Sequence, residues 1–378
     1  MQYLSGCLEG AIRKYRELEN RIGVFKFIPR IIAIASAAAI AILSIGMAWQ
    51  SISEKADQRK YANPPGILVD IGGYRLHMLQ TGRDPANWKG PVIVLEAGLG
   101  CNHQDWTKVQ RELSKDGKAV VISYDRAGYG WSDRSPLPRT SGNEVEELKT
   151  LLEKSGYGEN KLILVGHSFG GINARLFAHR YREKVAALVL VESCHEEQNA
   201  RQPEDPPEGL DRFHAWGNPE WAQVLTRIGA TRFFLPRSEL PSDLETSFSK
   251  DIRDSYLASV QSAKFAEVIH EETKLFDQSG EELKAAKGHL GNRPVVVLTA
   301  GESHAKDPVW DAMQEEMVQE SDLGLRLYTE TEYDHMIPWH EPEQVVQAIR
   351  KADAMLPKQF SLMFAVEPTQ GKRREQGS

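Results

Sequence analysis

The stretch Lys161–Ala178, KLILVGHSFGGINARLFA, constrains this chain more than any other. Leu162, Ile163, Leu164 and Val165 form a continuous apolar run, the pattern of a strand buried on both faces of a parallel sheet. Gly166-His167-Ser168-Phe169-Gly170 follows, and then Ile172, Leu176 and Phe177 recur at helical spacing. This reads as strand, sharp turn and helix, with a serine at the apex. Gly166 and Gly170 stand where a tight turn leaves no room for a Cβ. Such a turn pushes the Ser168 hydroxyl out of the sheet edge. It also sets the Phe169 N–H at a helix N-terminus, where negative charge is favoured. A capping serine at a glycine-rich helix start is the bland alternative. A cap, however, does not need glycine on both sides.

The rest of the chain supplies a sheet for this strand. Ile67–Gln80 reads as two alternating runs around Gly72-Gly73, a hairpin signal. Pro91–Ala97, Ala119–Tyr124, Val185–Val191 and Pro294–Thr299 are further apolar strands, and Leu325–Thr329 is the last. Helical patterns near Trp106–Leu113, Glu144–Leu152, Trp310–Gln319 and Glu343–Ala354 alternate with them. Strands alternating with helices after an antiparallel start indicate an α/β class, a mostly parallel doubly wound sheet. One long insertion, 195–292, is rich in charge, proline and aromatic residues, with helical patches near Pro219–Ile228 and Asp251–Phe276. It enters at the C-terminal end of a strand, before the penultimate strand. Ligands bind at that edge in open α/β sheets, so the insertion is expected to be a helical cap, or lid.

Ile31–Trp49 is the one compositional break: nineteen residues without a charge. That matches the ~20 residues a helix needs to cross a bilayer core. A buried core helix and a cleaved signal peptide are the alternatives. The charged leader is long for a signal peptide, and no clear small-residue cleavage site follows. Before the span come Arg13, Lys14, Arg16, Arg21, Lys26 and Arg30; after it come Lys55, Arg59 and Lys60. Six against three puts the N-terminus in the cytoplasm and the rest of the chain outside. The expected organisation is a leader over 1–30, a transmembrane helix over 31–49, and a linker over 50–65. The core is then 66–194 with 293–356, the cap 195–292, and a mobile tail 357–378.

At 378 residues the chain is long enough for one large domain with an insertion. Its 46 basic and 53 acidic residues give a net −7, and no basic stripe with interleaved aromatics appears. Both argue against a nucleic-acid partner. Cys7, Cys101 and Cys194 are too few and too scattered for a disulfide framework or a zinc site. No motif asks for a metal or a cofactor. Oligomeric state stays open.

Three runs now stand in order: VLEAGLG at Val94–Gly100, YDRAGYGWSD at Tyr124–Asp133 and LVGHSFGG at Leu164–Gly171. From about Ile67 to Ala354 the chain resembles the α/β-hydrolase superfamily, most of all its bacterial members that carry these runs. The resemblance implies that Ser168 is a nucleophile. A serine hydroxyl needs an adjacent base, and the segment from Tyr333 to Glu343 resembles the family's histidine loop, which makes His335 the base. His167, His195, His304 and His340 are the competing histidines.

In many relatives the acid of the triad follows the strand after the cap, in a G-x-x-D pattern. Here that place reads Gly301-Glu302-Ser303-His304, so a histidine occupies the usual position. Some superfamily members place the acid at the end of the strand after the elbow, and Glu192 stands there. Glu192 is preferred, then Asp307, then Glu302. A carboxylate capping nearby backbone N–H groups is the competing role for Glu192. The oxyanion formed on acyl attack needs two N–H donors, expected from Phe169 and Leu99. Asn102, His103 and Trp106 are expected to line the pocket. Asp125 and Arg126 are expected to be a buried structural pair that pins their loop. Cys101 and Cys194 fall at the catalytic edge, as free buried thiols rather than a disulfide.

The resemblance thus implies a serine hydrolase acting on a small-molecule acyl ester, with a lipid-like acyl group suited to the cap and anchor. A non-catalytic ligand-binding protein on the same fold is the alternative from another class. Cofactor-free peroxidase, amidase and acyltransferase chemistry also stay open. Epoxide hydrolase and haloalkane dehalogenase chemistry is disfavoured, because those relatives use an aspartate where Ser168 stands.

Overall fold

A computed structural model of the chain describes residues 2–84, 88, 90–202, 219–234, 248–329 and 335–357. Eight strands form one sheet: β1 Ile67–Asp70, β2 Arg75–Gly82, β3 Val92–Glu96, β4 Val120–Tyr124, β5 Leu162–His167, β6 Val185–Val191, β7 Pro294–Thr299 and β8 Leu323–Tyr328. Their order is β1-β2-β4-β3-β5-β6-β7-β8. The first two strands pair antiparallel, and β3 to β8 run parallel. The expected hairpin is present. Asp70 Oδ1 accepts the N–H groups of Gly72 and Gly73 at 2.8 and 2.9 Å, and both glycines have positive φ, which favours glycine.

Successive strand residues feed opposite faces of the sheet. Leu162 and Leu164 of β5 join one apolar cluster with Phe177 and Leu148. Ile163 and Val165 join a second with Trp106 and Ile349. Helix α3 (Ser141–Lys154) and α4 (Phe169–Arg180) cover the first face; α2 (Thr107–Ser114) and the helix Pro342–Ala354 cover the second. Both faces are buried along β3 to β7, which is why these strands carry apolar runs.

The insertion between β6 and β7 is helical where described, with helices Pro219–Arg227, Ala230–Phe234, Lys250–Val260, Ala263–Lys274 and Phe276–Ala286. The segment after β7 contains the short helix Gly301–Lys306. The tail expectation falls almost wholly on 358–378, outside the described residues.

The N-terminal region differs from expectation in one respect. Residues 50–60 are not a linker: helix α1 runs without a break over Gln2–Lys60. Ser51–Lys60 holds no glycine or proline, so nothing stops the helix before Asn63-Pro64-Pro65-Gly66. Within it, Ile28–Lys60 contains a stretch with mean hydropathy 2.4, none of it buried, long and apolar enough to cross a membrane.

Candidate active site

The elbow forms as the glycines require. A Cβ on Gly166 would run into the backbone of Gly170 and Gly171, and one on Gly170 into the Ala97 and Glu96 carbonyls. Ser168 at the apex has φ 53 and ψ −126. A non-glycine residue there is strained, by roughly 1–3 kcal/mol, and such strain clusters at active sites. Among the described residues only Ser168 and Glu192, at φ 43, combine a side chain with positive φ. They follow the ends of neighbouring strands, β5 and β6.

The turn is pinned by backbone bonds. Ser168 N–H donates to Val191 O at 3.1 Å, and Cys194 N–H donates to Ser168 O at 3.0 Å. The Ser168 hydroxyl lies 3.6 Å from the Cys194 sulfur. Burial pushes the Cys194 thiol up to about 12, so it is a neutral neighbour. Cys101 and Cys194 are both buried and are not joined in a disulfide.

The loop after β3 approaches the elbow closely. A Cβ on Gly98 would sit 3.1 Å from both His167 Nδ1 and Ser168 Cβ. Neither the Leu99 N–H nor the Phe169 N–H has a protein acceptor among the described residues. Two unclaimed donors beside a serine are what an oxyanion requires.

His335 is buried, with its carbonyl accepting from His167 Nε2 at 2.8 Å and its ring 5.0 Å from that of His167. Among the described residues its imidazole makes no hydrogen bond to Ser168 or Glu192. Without substrate, catalytic hydrogen bonds are commonly long and tighten in the complex. Residues 330–334, just before it, lie outside the described set. His167 holds the His335 carbonyl, a role with no local signal in its neighbourhood of the chain. Of the other histidines, His195 stands 3.4 Å from Glu196 and Glu316. His304 bonds Asp311 at 2.7 Å.

Glu192 is buried, and its Oε2 accepts the Ala300 N–H at 2.7 Å. It therefore bridges the ends of β6 and β7 at the elbow's edge. Asp307 is engaged elsewhere. Its Oδ1 accepts from the N–H groups of Val309 and Trp310, and its Oδ2 from Gln202, so it caps the helix Pro308–Val318. The signal for that cap was in the sequence: an aspartate directly before a proline at the first helical position. The Glu302 side chain lies outside the described residues.

Asp125 and Arg126 do not pair with each other; they face different partners. Asp125 accepts from His77 Nδ1 and His103 Nδ1, both at 2.8 Å, and from the N–H groups of His103 and Trp131 at 2.9 Å. The second nitrogen of His77 faces the Pro65 carbonyl. Both of its nitrogens meet acceptors, an arrangement that favours the doubly protonated ring. Burial pushes the His77 pKa down, but Asp125 and the Pro65 carbonyl outweigh it and raise it. Burial pushes the Asp125 carboxyl up, but the two histidines outweigh it and hold it well below the usual range. The ligand atoms of His77, His103 and Asp125 lie within 4.8 Å of one another, close enough for a metal ion. The carboxylate is already filled by four donors, so the group locks the loop after β4. His103 and Asn102 are buried and hold this turn: Asn102 caps the short helix His103–Trp106. The Trp106 ring stands edge-on to His167.

Arg126 turns the other way. It donates to the carbonyls of Ala97 and Gly98 (2.9 Å to the latter) and to Glu96 at 3.0 Å. From the cap, Glu272 takes two bonds, at 2.9 and 3.1 Å. Tyr129 joins the same pair, donating to Glu272 at 2.7 Å and accepting the Gly100 N–H at 3.2 Å. The loop that carries Leu99 is therefore clamped to a cap helix. Removing one partner of such a buried ion pair costs roughly 3–5 kcal/mol. Burial, aided by neighbouring Glu272, pushes the Glu144 carboxyl in this network well up.

A strained serine on a strand–helix turn, at the C-terminal edge of a mostly parallel sheet with a helical cap, defines the class. A family model described as alpha/beta hydrolase fold matches residues 90–360, and the chain belongs to that family. Among curated relatives, "Probable transporter efuK" of Hormonema carpetanum is 26% identical over 306 residues. That match takes in 75% of this chain but only 42% of the relative's length. The epoxide hydrolase CorEH superposes with a TM-score of 0.55 at 20% identity, over 76% of this chain and 98% of its own. A membrane phospholipase A described as a bacterial virulence factor does so with 0.53 at 18% identity, over 87% and 98%. At such identities the likeness to solved structures is one of fold.

Proposed function

We propose that the chain is a membrane-anchored serine hydrolase that cleaves a carboxylic ester through a triad of Ser168, His335 and Glu192. The observation that carries this reading is the strained apex position of Ser168 beside the two unclaimed N–H groups of Leu99 and Phe169. Ser168 Oγ attacks the ester carbonyl carbon while His335 takes its proton. The oxyanion is held by the two N–H groups. The alkoxide leaves with the proton from His335, and water, activated by the same ring, releases the acid from the acyl-enzyme. Glu192 fixes the tautomer of the ring and balances its charge. An apolar, lipid-like acyl group suits the anchor. The phospholipase neighbour's 87% cover is too long to be met without part of residues 1–60, so that likeness of fold extends into helix α1.

The test is fluorophosphonate labelling of the full chain, with labelled wild type expected. A non-catalytic ligand-binding protein is the second reading, favoured by the lack of a Ser168–His335 hydrogen bond. An unlabelled but folded wild type would support it.

The pH profile follows from the base. Burial, with His167 beside it, pushes His335 well below its ordinary value, and a general base must be unprotonated. As pH falls through about 6.5, the ordinary histidine value, kcat/KM on a nitrophenyl ester should stay level, with its acid limb lower still. A limb at or above that pH would mean that the free enzyme already holds an anion against the ring.

The anchor has its own test. A reporter fused after Gly66 should read as extracytoplasmic, with the N-terminus of the mature protein intact. Cytoplasmic reporter activity would reverse the orientation, and a cleaved N-terminus would make the span a signal peptide.

A further inference from the structure

Helix α1 does not leave the membrane region as a free stalk. Gly46, Gln50, Glu54 and Asp57 recur every three or four residues, so they share one face, and that face meets the cap. At Gly46 a Cβ would strike the Ile228 carbonyl. Gly229, with φ 76, would bring a Cβ within 3.0 Å of the Gly46 carbonyl and of the Trp49 ring. Higher up, Gln50 Nε2 donates to Gln261 O at 2.8 Å. Arg232 donates to Gln50 Oε1 at 2.9 Å and to Asp57 at 2.7 Å, and Glu54 accepts the Ala263 N–H. Two glycines let the cap backbone touch the helix, and a polar ladder fixes it there.

The height of this contact matters. At about 1.5 Å per residue, Ile31–Trp49 spans roughly the ~30 Å of a hydrocarbon core. Gly46 then lies only about 4–5 Å inside the Trp49 end of the apolar layer. The cap turn at Ile228–Gly229 touches it, so that turn stands at the same level. The flanking helices present large apolar side chains there: Trp221 at 63% exposure, Val224 at 48% and Phe233 at 69%. Trp221 and Val224 share one face of Pro219–Arg227. Trp221 and Phe233 stand seven and five residues from Ile228, which touches the span. Tryptophan and phenylalanine at the headgroup boundary suit such a place.

Resting on the anchor reading above, we infer that the cap turn of Pro219–Phe234 is seated in the membrane interface, with Trp221, Val224 and Phe233 immersed in lipid. The occupant of the patch is the bilayer rather than a second copy of the chain, because the Gly46 contact fixes it beside the span.

The experiment uses the full chain with Cys7→Ser, reconstituted in phosphatidylcholine nanodiscs. Single variants Trp221→Cys, Val224→Cys and Phe233→Cys carry an environment-sensitive fluorophore. Ile45→Cys serves as the anchor reference, since Ile45 is exposed on the span, and Leu137→Cys, exposed on the core, as the aqueous one. With brominated lipid, the three cap probes should be blue-shifted and lose emission to the extent seen at position 45, while position 137 is unchanged. Gly46→Leu should release the cap probes from quenching while leaving position 45 quenched. Cap probes that behave like position 137 while position 45 is quenched would overturn the seating and leave the anchor intact. An unquenched position 45 would overturn the anchor itself. Cross-linking between copies at position 224, without lipid quenching, would assign the patch to a second copy and overturn the proposal.

Discussion

Ser168→Ala is expected to abolish fluorophosphonate labelling and to lower ester turnover by about 10⁶-fold, the loss seen when a serine nucleophile is removed from a working triad. The fold should survive, because the hydroxyl makes only a 3.6 Å contact with Cys194 and alanine keeps the backbone bonds of the turn. Labelling, turnover and circular dichroism on the same preparation check all three points. Labelling that persists at another serine would remove the nucleophile assignment, and with it the proposed chemistry.

The second large effect is expected at Glu192. Glu192→Gln keeps an oxygen to accept the Ala300 N–H and removes only the charge. If Glu192 is the acid, the imidazole loses its orienting anion, and kcat should fall by about 10⁴, as in the serine protease precedent, with KM little changed. Asp307→Asn is the matched control. Asparagine caps a helix as well as aspartate does, so the helix Pro308–Val318 should hold and turnover should stay near wild type. If Asp307→Asn is the crippling change, the acid is Asp307 and the strain at Glu192 is structural.

The two residues differ in how legible they were. Glu192 stood out as a candidate because a carboxylate that ends a run such as VAALVLV needs a reason to be buried. The cap role of Asp307 was equally visible in Asp307-Pro308, but a search for an acid does not look for a helix start. The central strands β3 to β7 were readable because strands buried on both faces write themselves as apolar runs, and β1 and β2 because Gly72-Gly73 marks their turn. What resisted reading was everything set by distant contacts. The bond from His167 to the His335 carbonyl joins residues 168 positions apart. Arg126 and Glu272 are 146 apart, and adjacency in sequence suggested instead that Arg126 paired with Asp125. Helix α1 runs on past Trp49 because Ser51–Lys60 holds no breaker, a local signal; the cap partners of its polar face are the part that local composition does not record.

The Arg126 clamp bears on how this fold can be altered by exchange. Caps are inserted segments, and a segment inserted at one point of a sheet looks transferable between relatives. Here the cap brings Glu272, a counter-charge for a guanidinium that also grips the Ala97 and Gly98 carbonyls. A transplanted cap without an acid at that point would leave a buried cation short of a partner, beside the loop that carries Leu99. Cap and core are therefore coupled through this ion pair, and a graft that respects the sheet alone would carry its own defect to the loop beside Ser168.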